Sequence, residues 1–346
     1  VERILALCHN DLDGIAASVA LNQAHPEAHV CIRYVDYGTV NQALLKGLEA
    51  KRSYDRIILA DISFEAYDPL KRYADVATQQ LVNQQLPAAI VAYTQAGGEL
   101  VLLDHHPRAL HTRTMYANHL HPDSITETQD AQGTARAGSE LAGRYFCQVS
   151  GCDNEETTAA LLELMELAGE YDTWRNPHGY GGLLAMAVML MHDPHLVKQE
   201  LELALLEKTL FPEFSYALAL EGSRLADYVQ LAEAEFEAVL QAALATRVVH
   251  SPLLTEVHVT DYPSLIAERV YMETRGVVLV RYQADRLKAD KISLRRHPAC
   301  AVDLNALLNP FGGGGHAAAA GLKLKPGELP ELAFTLANAL TAVRSA

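Results

Sequence analysis

Long apolar runs are missing from this chain: the longest, residues 183–191, lasts nine residues, too short to cross a bilayer, and reads as a buried helix. Cysteine is scarce. The five present, Cys8, Cys31, Cys147, Cys152 and Cys300, are odd in number and form no Cys-x-x-Cys pair, which argues against a disulfide framework and for reduced, structural thiols. Basic residues are also few, 28 Lys and Arg against 43 Asp and Glu. A net charge of -15 does not suit a protein that grips long nucleic acid by neutralising its backbone. Short or small phosphorylated substrates stay open, because bound cations can supply the local positive charge. The N-terminal residues Val1-Glu2-Arg3 run straight into strand-like sequence without a charged leader and apolar core, so a cytoplasmic location is expected.

Against these absences stand 346 residues, 49% of them apolar, enough for two domains with cores of their own. Strand-like runs at residues 4–8, 30–35, 56–60 and 99–103, and a weaker one at 114–117, alternate with helical stretches. That alternation predicts an α/β fold whose N-terminal domain, over residues 1–192, is a doubly wound parallel sheet. A polar loop is expected over 118–133, and helices over 134–149 and 155–169. Residues 193–246 are acidic and helical, with Leu225, Val229, Leu231, Phe236, Val239 and Leu240 spaced as an amphipathic stripe, and read as a connector. Strand and helix patterns return over 247–346, predicting a smaller C-terminal α/β domain with a mixed sheet.

The ends of three predicted strands carry the chemistry. His9-Asn10-Asp11-Leu12-Asp13-Gly14 follows the first, Asp61 the third, and Asp104-His105-His106 the fourth. Ligands of open parallel sheets bind beyond the carboxyl ends of the strands, where these residues would fall. Asp172 lies where a predicted helix releases its chain. Singly, each residue is explained by a helix cap or a surface imidazole. Together they offer His9, Asp11, Asp13, Asp61, His105 and Asp172 as nitrogen and oxygen ligands, about the number that two divalent ions bridged by a carboxylate require. Mixed imidazole and carboxylate donors suit manganese, iron or zinc better than calcium. Later in the chain, Gly312-Gly313-Gly314-Gly315-His316 lacks the spacing of a dinucleotide fingerprint and the Lys-Ser/Thr ending of a P-loop. With the upstream Ser293-Leu294-Arg295-Arg296 it reads as an anion-binding loop, or as a plain flexible one.

The set His9-x-Asp11-x-Asp13-Gly14, Asp61, Asp104-His105-His106 and Asp172, followed by the late Gly-Gly-Gly-His, resembles the DHH phosphoesterase family, in the branch with a C-terminal DHH-associated domain. The resemblance implies two divalent ions, manganese above all: His9 and Asp11 on the first, Asp13, His105 and Asp172 on the second, Asp61 between them. It implies catalytic roles for Asp104, orienting the imidazoles, and for His106, facing the substrate phosphate, with a metal-activated hydroxide as nucleophile. It also implies substrate binding by Ser293, Arg295, Gly313, Gly314, Gly315 and His316, in a cleft between the two domains that measures substrates by length. The expected activity is that of a manganese-dependent phosphodiesterase of the oligoribonuclease or exonuclease type, hydrolysing short single-stranded RNA or DNA or linear dinucleotides to mononucleotides. Further candidate substrates are 3'-phosphoadenosine 5'-phosphate and a cyclic dinucleotide; long duplexes and membranes are not expected partners. Alternatives are a pyrophosphatase or polyphosphatase, and a catalytically silent cyclic-dinucleotide sensor.

Overall fold

The computed structural model describes residues 1–50, 54–66, 75–150, 154–283, 290–324 and 328–344. The chain divides into two compact units, Val1–Gln230 and Leu231–Ala346.

In the first unit four parallel strands, β1 (Arg3–His9), β2 (His29–Val35), β3 (Arg56–Ala60) and β4 (Glu99–Leu103), stand in the order β2-β1-β3-β4. The helices of this unit are α1 (Leu12–Ala24), α2 (Val40–Leu48), α3 (Val76–Gln80), α4 (Leu86–Gln95), α5 (Pro107–Met115), α6 (Gly138–Ser150), α7 (Glu155–Asp172), α8 (Tyr180–Met191), α9 (Pro194–Leu210) and α10 (Tyr216–Ala219), with a π-helical turn at Leu81–Gln85 ahead of α4. Residues 4–8, 57–60 and 100–103 are fully buried, as strands covered on both faces must be. Leu5, Leu7, Ile57, Leu59, Leu100 and Leu102 form one core with residues of α2, α4 and α5, while α1 packs against β1 and against α6, α7 and α9. The sheet is therefore wound on both sides, as expected.

One local expectation is corrected. Residues 114–117 are not a strand: Pro107 opens α5 at its first turn, and Ala109, Thr112 and Tyr116 recur at helical spacing on its buried side. The polar stretch 118–133 is a loop, as expected, and its residues 121–125 bond along the open edge of β4. His121 N–H donates to Leu100 O (2.7 Å), Ile125 N–H to Leu102 O (2.9 Å) and Asp104 N–H to Ile125 O (3.1 Å). Covering that edge satisfies backbone groups that would otherwise invite pairing with another chain.

Helix α11 (Arg224–Ala245) carries the boundary between the units. Its buried stripe is Leu225, Val229, Ala232, Phe236, Leu240 and Ala243; Leu231, expected on it, is 55% exposed, and Ala232 holds the 3.6-period position instead. The second unit is a mixed sheet of β5 (Val248–Ser251), β6 (Leu254–Val259), β7 (Val277–Gln283), β8 (Asp290–Arg296), β9 (Gly314–His316) and β10 (Ala319–Leu324), in the order β5-β6-β7-β8-β10-β9. Only β6 and β7 run parallel. Helix α12 (Pro263–Thr274) packs on β6, β7 and β8. Leu304 and Leu308 of α13 (Leu304–Leu308), and Leu332, Leu336 and Leu340 of α14 (Leu329–Arg344), join Leu254, Leu279 and Leu294 in a second core. No helix among the described residues is long and apolar enough to cross a membrane.

Candidate metal centre

Strands β1, β3 and β4 end level with one another, Cys8 pairing with Ala60 and Ala60 with Leu103, so His9, Asp61 and Asp104 leave the sheet side by side. Asp11 is the N-cap of α1: one carboxylate oxygen accepts from Gly14 N–H (3.1 Å), and the other lies 2.8 Å from His9 Nδ1. Gly14 cannot be larger, because a Cβ there would lie 2.4 Å from the His9 carbonyl oxygen. Asp13, buried in the first turn of α1, accepts from the backbone N–H groups of Gly138 (2.7 Å) and Ser139 (3.0 Å) at the start of α6. Asp172 is the last residue of α7.

Asp61 joins these groups. Its Oδ2 lies 3.5 Å from His9 Nδ1 and its Oδ1 3.3 Å from His105 Nε2; the same nitrogen is 3.3 Å from Asp172 Oδ2 and 4.0 Å from Asp13 Oδ2. Yet both oxygens of Asp61 and His105 Nε2 are buried without a hydrogen-bond partner, and His9 Nδ1 is buried with only the close approach of Asp11. Buried polar atoms are costly when unpaired, and these converge on common points rather than on separate ones. Hard oxygen and imidazole donors so arranged fit divalent cations. Three groups of donor atoms lie within 4.8 Å of one another and could each hold an ion: His9, Asp11 and Asp61; Asp13, His105 and Asp172; and Asp61, Asp104, His105 and His106.

The electrostatics match a site that awaits positive charge. Burial, together with the charges of Asp13, Asp11, Asp172 and Asp104, pushes the Asp61 carboxyl well above the usual carboxylate range. Burial and then Asp13 and Asp11 raise Asp172 to about 8, and burial raises Asp13. Burial lowers His105, favouring the neutral form that a metal ligand needs, and the backbone of Arg136 hydrogen-bonds its ring. His106 goes the other way: burial opposes its charge, but the Asp104 hydrogen bond and the charges of Asp104, Asp172 and Asp13 outweigh it.

Asp104 Oδ1 lies 2.8 Å from His106 Nδ1 and also accepts from His106 N–H (3.2 Å). The second ring nitrogen of His106 is 2.9 Å from the hydroxyl of Tyr37, which also lies against the ring of His9, with the Arg108 guanidinium over its own ring. Tyr37 went unnoticed in the sequence, as did Gly138 and Ser139, because backbone donors and a tyrosine from a turn leave no motif. The signal available was Tyr37-Gly38 directly after a strand end that faces the same side.

In the second unit, Ser293 is buried and Arg295 partly so. Arg295 donates to Ser293 Oγ (2.6 Å), Ser264 Oγ (2.9 Å) and Leu294 O (3.0 Å). All three acceptors are neutral, and among the described residues no carboxylate lies within ion-pair distance of this guanidinium. Ser264 stands in the first turn of α12, whose N-terminus has no side-chain cap, so its free N–H groups add to the positive potential. Arg295, Ala319 and His316 occupy one cross-strand row; the side chain of His316 lies outside what the structure describes. The glycine run is only partly open. Gly312 turns the chain at φ +76°, Gly313 packs against Leu308 and the Gly321 carbonyl, and Gly314 and Gly315 pair with Gly321 and Ala320.

A buried imidazole and carboxylate cluster that could hold metal ions thus stands at the carboxyl edge of the doubly wound sheet, and a mixed-sheet unit follows it in the chain. No protein-family profile matches the chain. The oligoribonuclease NrnB of Bacillus subtilis is 23% identical over 325 residues, 91% of this chain and 71% of that protein. Among solved structures, the pGpG-specific phosphodiesterase PggH of Vibrio cholerae superposes with a TM-score of 0.58 at 13% identity, covering 99% of both chains. RecJ of Thermus thermophilus in complex with Mn2+ superposes with a TM-score of 0.52 at 15% identity, over 99% of this chain and 52% of RecJ. The motif set and the likeness to NrnB are similar to those of the DHH phosphoesterase family, and the solved structures share the fold.

Proposed function

We propose that this protein is a manganese-dependent phosphodiesterase that hydrolyses short oligonucleotides or linear dinucleotides to mononucleotides. The observation that carries the reading is the set of buried, unbonded donor atoms of Asp61 and His105, met by His9, Asp11, Asp13 and Asp172. His9 and Asp11 would hold one ion, Asp13, His105 and Asp172 the other, with Asp61 shared. Two such ions supply a nucleophilic hydroxide near neutral pH and neutralise charge developing on the phosphoryl oxygens.

The chain's own residues do the rest. His106, fixed through Nδ1 by Asp104, offers Nε2 and the Tyr37 hydroxyl to the substrate phosphate, and its raised pKa favours the cationic form that an anion attracts. Arg295, with neutral partners only, is suited to a terminal phosphate, which its planar fork can bond in pairs. Names of relatives point the same way, since an oligoribonuclease and a pGpG phosphodiesterase both act on short substrates.

With Mn2+ present, RNA of about two to five nucleotides should be cut to mononucleotides far faster than a long strand. Asp61→Ala should abolish turnover, a loss of at least 10²-fold, while Arg295→Ala should mainly raise KM. Equal rates on short and long RNA, or near-normal activity in Asp61→Ala, would contradict the reading.

A further inference from the structure

A cavity of about 520 Å³ opens in the first unit beside the carboxylate cluster, with Asp11, Asp13 and Asp172 among its lining. Apart from Asn10, His192 and Asp193, its remaining surface is of another character. Leu12 comes from α1, Ala168 and Tyr171 from α7, Val188 and Met189 from α8, and Pro194 from the start of α9. The volume is within the range of small-ligand sites, which are apolar with a few placed polar groups. A phosphate alone has no use for such walls.

We propose that this cavity receives the nucleobase of the nucleotide whose phosphate sits at the carboxylate cluster. The inference rests on the phosphodiesterase reading and adds the residues that hold the base. Because Asp11, Asp13 and Asp172 belong to both the cluster and the cavity, a group filling the cavity adjoins one at the cluster. A flat, weakly polar ring is the part of a nucleotide that gains from leaving water for Val188, Met189 and Ala168.

Two further observations support an occupant. Helix α8 is apolar on all sides, yet Met189 is left 46% exposed at the cavity, where burial by a ligand would complete its cover. Trp174, just past α7, holds φ +58°, a strained conformation for a bulky aromatic, and its ring lies 5.9 Å from that of the cavity residue Tyr171. The walls are also fixed in place. A Cβ on Gly181 would lie 2.0 Å from the Leu167 carbonyl oxygen, so α7 and α8 are packed backbone to backbone and the cavity between them is preformed. The apolar walls read the shape of a base, and Asn10, His192 and Asp193 are the lining residues able to bond its edges.

The test compares, with Mn2+, an RNA dinucleotide and the same dinucleotide made abasic at either position. In the full chain, removing the base at one of the two positions should lower kcat/KM on the order of 10-fold, and Met189→Trp, which fills the cavity, should bring that ratio close to one. A wild-type ratio of one at both positions overturns the proposal. The chain holds a single tryptophan, so Trp174 fluorescence gives a readout independent of turnover. Adenosine 5'-monophosphate should change it saturably and ribose 5-phosphate should not; equal responses overturn the proposal. Absence of cleavage with a base-dependent fluorescence change would instead overturn the activity while leaving the cavity's role standing.

Discussion

Asp61 occupies the left-handed region of backbone space, φ +56°, buried among the carboxylates of Asp11, Asp13, Asp104 and Asp172. Such a backbone costs of order 1 to 3 kcal/mol in a residue other than glycine, and the surrounding like charges cost more. The repulsion is what a cation would relieve. The pH dependence follows. Asp172 is raised to about 8, with Asp13 and Asp61 also raised, so the folded metal-free protein keeps protons that the unfolded chain releases near pH 4. The folded state then binds more protons, and stability falls as pH rises through this window. In chelator, Tm should decline from about pH 4 to about 8, and the rise in Tm on adding Mn2+ should grow over the same range, because ions displace protons. A Mn2+ effect that shrank with rising pH would contradict this assignment of charge.

At the level of elements, the start of α6 does two jobs: its first N–H groups hold Asp13, and Gly138 lets it lie against Asp61. A Cβ on Gly138 would lie 2.4 Å from Asp61 Cβ. Gly138→Ala should therefore lower kcat on the order of 10²-fold and weaken Mn2+ binding with an unchanged far-UV circular dichroism spectrum; near-normal turnover would sink this role. The strands that present the site were legible because residues 57–60 and 100–103 are continuous apolar runs, the mark of strands buried on both faces. Residues 114–117 misled because β-branched and aromatic side chains in a short window mimic a strand, whereas Pro107 and the spacing of Ala109, Thr112 and Tyr116 decide for a helix. Strands β5 and β9 left little pattern: β5 is a four-residue edge strand, largely exposed, and β9 is mostly glycine, without side chains to alternate.

Across the whole molecule, an acidic chain confines its useful positive charge to a few places, and Arg295 is one of them. Its partner Ser264, 31 residues earlier, was invisible in the sequence because only the packing of α12 on β8 brings the two together. The cluster of acids and imidazoles was legible for the opposite reason, since its members lie at or next to the ends of strands and helices. The same arithmetic of charge is the ground for proposing that the centre depends on bound cations. Anomalous scattering at the manganese edge from crystals grown with Mn2+ tests it most directly. Two peaks are expected, one against His9 and Asp11 and one against Asp13, His105 and Asp172, with the Asp61 carboxylate between them. A single peak, or peaks away from Asp61, would contradict it.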